Sequence, residues 1–195
     1  MLLPALSAAR ERARSASCIN KLKQIGVAEM MYSTTNKDLI AVDVQKNYDI
    51  ANTVTNGNLM TSNYPAFILV EGGYFGVDRP TSTIETQEQC ERFYKCPSDT
   101  SNFTATTISY NYYVWKKAHS GWGTPEVAAR FIIGRDNPGA MTWADCIWTT
   151  APNHAVGANL LHLGGHVRGI NSKPSDTVAL AWGDRYRKVL DDISY

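Results

Sequence analysis

Cys18, Leu22, Ile25 and Tyr32 follow one another at spacings of four, three and seven, which places them on one stripe of an α-helix. Ile19 and Ala28 flank that stripe. Pro4 suits a first helical turn, and no further proline occurs before Pro65. Ala, Arg, Lys, Leu, Glu and Met dominate the span, all good helix formers. The pattern predicts one long helix from Pro4 to about Asn36. Its apolar stripe covers only the second half, because Ala8 to Ser17 is built of Ala, Arg and Ser around Glu11. The later turns should dock on a domain and the first turns should protrude as a stalk.

Beyond Asn36 the period shortens. Leu39-Ile40-Ala41-Val42 reads as a short strand, and Asn56-Gly57-Asn58 as a turn in a polar stretch. Tyr64 to Val70 reads as a short helix or buried segment closed by Gly72-Gly73. Ser109 to Trp115 has the aromatic density of a strand, and Met141 to Trp148 alternates like one. A hairpin is expected across Ala158 to Ile170, turning at Gly164-Gly165. Thr177 to Asp192 fits either a strand or a helix. These elements predict an α+β fold, with residues 1–36 a helix and residues 37–195 a head domain.

The 195 residues are 44% hydrophobic and 19% charged, a composition that folds rather than stays disordered. Nineteen basic residues oppose eighteen acidic ones, so the chain lacks the basic excess of a nucleic-acid binder. The charge is uneven: up to Lys23 five cations face Glu11 alone. No apolar run is long enough to span a membrane.

Candidate chemistry is sparse. His154, His162 and His166 lie close in sequence, but Gly164-Gly165 breaks the helical geometry that a His-x3-His zinc pair needs. These histidines therefore read as structural. Cys96, followed by Pro97, lacks the helix N-terminus or cation that activates a thiolate. Gly121-Trp122-Gly123 lacks the remaining glycine and the lysine of a nucleotide loop. No oxygen-rich run resembles a calcium loop, so no metal or cofactor is expected, with calcium left open. No acid, base and nucleophile set has workable spacing, and no enzymatic activity is expected.

Three segments carry a resemblance. Leu2 to Arg14 followed by Cys18-Ile19-Asn20-Lys21-Leu22-Lys23-Gln24-Ile25-Gly26 resembles the start of type IV pilin-like proteins, closest in pattern to type II secretion pseudopilin-like families. Cys96-Pro97-Ser98-Asp99 resembles a Cys-Pro-Ser-Asp turn of such proteins. His154 to Val167 resembles their C-terminal signature of a histidine, nine residues and Asp-Gly, with Gly164 standing where the aspartate would be.

The resemblance implies a long N-terminal helix packed against an antiparallel sheet, with a variable C-terminal region. It implies a missing apolar anchor ahead of Met1, processed by a prepilin peptidase, with the head periplasmic or extracellular. It implies a structural subunit of a pseudopilus or pilus-like filament, whose partners are other pilin-like subunits and the secretion machinery. Arg10, Glu11, Arg12 and Arg14 would then pair between stacked subunits, or simply form a solvated charged face. An exported setting favours two disulfides, and the resemblance touches both Cys18 and Cys96, leaving Cys90 with Cys146. Cys90–Cys96 with Cys18–Cys146 is the competing connectivity. A second function follows from the residues: the same fold presenting Tyr112, Trp115 or Trp122 to a polysaccharide or protein.

Overall fold

The structure, a computed structural model, describes residues 2–42, 60, 63–115, 127–146, 152–155, 157–171 and 180–194. The expected turn at Asn56–Asn58, Gly121-Trp122-Gly123 and Trp148 lie outside the described residues.

Helix α1 runs unbroken over Leu2–Thr35, as its composition requires. Cys18, Leu22, Ile25 and Ala28 are fully buried, and Tyr32 packs edge-on against Tyr74 with ring centroids 5.3 Å apart. Ala5 to Arg10 are exposed, as are Arg12, Ala13 and Arg14. The stalk is shorter than its apolar pattern suggests, because Glu11 already touches the head. Past the helix, Lys37 and Asp38 take left-handed backbone angles that turn the chain back. Of the expected strand at Leu39, one bridge to Ile132 forms.

Two short helices follow, α2 over Pro65–Glu71 and α3 over Thr83–Tyr94. Helix α3 escaped the hydrophobic pattern, yet Ser82 and Glu85 carry its start signal. Ser82 Oγ accepts the Glu85 N–H, and the Glu85 carboxylate accepts the N–H and the hydroxyl of Thr81, satisfying donors that a helix N-terminus leaves open.

The sheet comprises β1 Tyr110–Tyr112, β2 Met141–Asp145, β3 Ala158–His162 and β4 Val167–Ile170, antiparallel in the order β1-β2-β3-β4. The fold is therefore α+β, as expected. The β3–β4 hairpin turns at Gly164-Gly165; Gly165 has φ +83°, and a Cβ there would strike the Met30 side chain. Gly164, in the place of the aspartate, donates its N–H to Pro138 O at 2.8 Å. The C-terminal segment is helical: α4 over Trp182–Arg185 continues into a π-helical turn, Tyr186–Leu190.

Side-chain alternation, shifted by a bulge between Met141 and Trp143, gives the sheet two covered faces. Tyr110, Tyr112, Trp143 and Leu161 face the core shared with α1, α2 and α3. Tyr113, Trp115, Met141, Ala144, Ala158 and Leu160 face a second core closed by Tyr186 and Leu190.

Candidate functional site

Along the first half of α1 the helix, the Cys-Pro-Ser-Asp turn and the sheet converge on a polar knot, buried at His154 and Asp145 and half-exposed at Glu11. Glu11 and Cys18 are seven residues apart, so both lie on the docking face of α1. Cys18 is disulfide-bonded to Cys96 across 78 residues, with Cα atoms 5.5 Å apart. Cys96 opens a turn that the Asp99 N–H closes onto Cys96 O at 3.0 Å. Asp99 then holds the next residues: Oδ1 accepts the N–H groups of Ser101 and Asn102, and Oδ2 accepts the Ser109 hydroxyl. Those bonds hold Ser98 and Cys96 toward the helix.

His154 comes from the segment entering β3, pinned beside it by Asn153. The Asn153 amide donates to Ser109 O at 2.6 Å and accepts from Asn102 at 3.1 Å. The imidazole is 95% buried and bridges two carboxylates. Its Nδ1 lies 2.6 Å from Glu11 Oε1, and its Nε2 lies 3.5 Å from Asp145 Oδ2 and 3.6 Å from Cys96 Sγ. Ser98 donates its hydroxyl to both Glu11 oxygens, at 3.0 and 3.1 Å. Asp145, at the end of β2, has a fully buried side chain. Burial pushes its carboxyl above the usual range, opposed by the charge of His154 and by the N–H and amide of Asn159, which donate to Oδ2. Its other oxygen, Oδ1, is buried with no hydrogen-bond partner among the described residues.

This arrangement fastens the helix to the head by one covalent bond and one histidine–carboxylate hydrogen bond. It is not laid out for acyl transfer, because the Ser98 hydroxyl donates to a carboxylate rather than facing the imidazole. On either side of Glu11, where α1 stands away from the head, lie open clefts of about 770 and 430 Å³.

The four cysteines divide differently from the expected two bridges. Cys90 and Cys146 are both free and buried. Cys90 sits on α3 near Glu71 and Tyr94, whereas Cys146 follows β2 with its thiol toward Ile108 O. These are separate neighbourhoods, so the expected Cys90–Cys146 bond does not form. Burial, with Glu71 nearby, pushes the Cys90 thiol up to about 12 and raises that of Cys146 as well, which leaves both protonated and inert.

The other sequence candidates scatter. Arg10, Arg12 and Arg14 stay exposed, and Arg14 Nη1 lies 3.8 Å from Glu11, whose carboxylate is already engaged by the head. His162 is buried with Nε2 3.0 Å from Leu190 O, and its ring stacks on exposed His166 at 4.4 Å. Burial lowers its pKa. Tyr112 and Trp115 are not surface aromatics: they are 1% and 2% exposed, packed against Trp143 and Tyr186. Their alternation buries them on opposite faces of the sheet, which removes both from any polysaccharide-binding surface. Trp122 lies outside the described residues.

Residues 7–68 match the model of a family described as a protein of unknown function (DUF1559). That family is associated with pilin-like and type II secretion pseudopilin-like proteins. The match is consistent with a pilin-like surface protein. It takes in α1 from Ser7 onward, including Glu11 and Cys18, while Cys96, Asp145 and His154 lie beyond it. No curated protein and no solved structure matches the chain. Among the described residues, no helix is long and apolar enough to cross a membrane.

Proposed function

We propose that this chain is a non-enzymatic subunit of a type II secretion pseudopilus or type IV pilus-like filament, and that it assembles through α1. The observation that carries the reading is the uncovered surface of that helix. Ala5 to Arg10 lie free of the head, and Leu6, Val27, Met30 and Met31 along α1 expose large apolar side chains. A helix bound to its own domain by a disulfide and by Glu11–His154 presents that surface at a constant angle, which repeated stacking of identical subunits requires. Small residues at Ala5, Ala8, Ala9 and Ala13 allow close approach of a neighbouring helix. The reading includes an apolar anchor preceding Met1 in the inner membrane, a periplasmic or extracellular head, and pilin-like subunits and the secretion machinery as partners, without nucleic acid.

In-cell crosslinking tests it. Single cysteines at Leu6, Ala9, Val27 and Met31, treated with a bifunctional thiol reagent, are expected to give crosslinked dimers. Ile84, 72% exposed on α3, is the control and should give none. No crosslinked dimer from any position on α1, or an equal yield from Ile84, overturns the proposal.

A further inference from the structure

Four potential metal donors converge at the disulfide. Among the described residues, one ligand atom from each of Cys18, Cys96, Asp145 and His154 lies within 4.8 Å of the other three, and all four residues are buried. Neighbouring donors around a tetrahedral zinc ion stand roughly 3.3–3.8 Å apart, from bond lengths of about 2.0–2.3 Å. The Cys96 Sγ to His154 Nε2 distance is 3.6 Å, and Nε2 to Asp145 Oδ2 is 3.5 Å. The outer contacts fit as well. A ligating histidine characteristically donates its other ring N–H to a carboxylate, which fixes the tautomer and points the free lone pair at the metal. His154 Nδ1 has that partner in Glu11 Oε1 at 2.6 Å, and Glu11 is itself held by Ser98. Asn159 orients Asp145 through Oδ2, while Oδ1 is buried without a hydrogen-bond partner among the described residues. A buried carboxylate oxygen with no donor is costly unless something else satisfies it.

We propose that the dithiol form of this protein binds one zinc-class divalent cation through Cys18, Cys96, His154 and Asp145, as an alternative to the Cys18–Cys96 disulfide. A dithiol reductant transfers two electrons and two protons to the disulfide, giving two cysteine thiols and its own disulfide. The cation then displaces the two thiol protons to solvent and is bound by two thiolates, the neutral imidazole Nε2 and the carboxylate. Two sulfur donors with one nitrogen select zinc-class ions over calcium or magnesium, which take oxygen ligands. Either state joins α1 to the turn after α3, so the helix is fastened to the head under reducing and oxidising conditions alike. The proposal is independent of filament assembly.

The test uses the 195-residue chain, oxidised or reduced with a dithiol, exchanged into zinc, freed of excess metal and measured for bound zinc and for helical circular dichroism. The reduced protein is expected to retain one zinc per chain and its helix signal, and the oxidised protein none. Cobalt in place of zinc is expected to show thiolate charge-transfer and tetrahedral ligand-field bands. Cys96→Ser and His154→Ala should abolish stoichiometric retention, and Glu11→Gln should weaken affinity roughly 10- to 100-fold by loosening the imidazole. His166→Ala should bind as the parent does. No zinc on the reduced chain, folded or unfolded, overturns the proposal. Binding to the oxidised chain, retention by His154→Ala, or loss in His166→Ala also overturns it.

Discussion

The two faces of the sheet bury charge in opposite ways. On the face away from α1, Arg130 and Asp191 have fully buried side chains and form a two-pronged pair at 2.7 and 2.9 Å. Asp191 also accepts the Met141 N–H, Arg130 donates to Met141 O, and the guanidinium lies over Trp115 and Tyr186. On the face toward α1, Glu29 is 4% exposed and is met by neutral donors: Oε2 accepts the Ala41 N–H at 2.7 Å and Oε1 the Trp143 indole N–H at 3.0 Å. Burial pushes the Glu29 carboxyl up to about 7 despite those bonds. In the Arg130–Asp191 pair each buried charge is met by an opposite one. A carboxylate supported only by neutral dipoles makes the docking of its helix depend on pH.

The largest effect expected on this contrast comes from the covalent tie on the α1 face. Replacing Cys18 and Cys96 together by serine should cost about 4.5 kcal/mol, the chain-entropy value for a closure of that length, read from denaturant midpoints. Next is Arg130→Met, which strands the Asp191 carboxylate in the second core and should cost about 4 kcal/mol. Adding Asp191→Leu to that variant should recover much of the loss, because the unpaired charge, rather than the missing pair, carries the cost. Failure to recover would show that the Asp191 contact with Met141 matters more than charge.

The pH experiment sharpens the contrast directly. The folded Glu29 pKa is raised, so between pH 4.5 and about 7 the folded chain keeps a proton that the unfolded chain releases. Stability from this group is therefore present at the acid end and lost as pH rises through that window, by roughly 3 kcal/mol at most. Glu29→Gln should flatten that slope in urea titrations, whereas the Arg130–Asp191 double variant should leave it intact. The smallest effect sets the scale. Ser82→Ala removes the cap of α3 without touching either buried charge, and should cost about 1 kcal/mol at every pH.

Much of the fold was legible because it is written in local pattern. The α1 stripe and the turn at Gly164-Gly165 follow from local pattern, and the structure has them; β2 forms too, but a bulge between Met141 and Trp143 sends those two side chains to opposite faces. Helix α3 was legible too, in Ser82 and Glu85, but only to a reading that weighed capping above hydrophobic period. The site was legible by halves. Glu11 continues the seven-residue spacing of Cys18, Ile25 and Tyr32, a signal easily passed over because Glu11 sits among arginines. Cys18 with Cys96 came only from resemblance.

What the sequence by itself determined is therefore what neighbours within about seven residues decide: which segments coil, which alternate, and which face of α1 is apolar. Tertiary structure alone decided which charges share a site. Asp145 ends a strand, His154 enters the next one and Glu11 lies on a helix 143 residues before that histidine. Nothing in their spacing draws them together. They meet because the antiparallel β2–β3 pairing and the docking of α1 bring three distant backbones to one end of the sheet. There, low dielectric makes each contact strong enough to matter and each missing one costly. The same reason separates Cys90 from Cys146: composition offered them as a pair, and the packing of α3 and β2 gave them different neighbours.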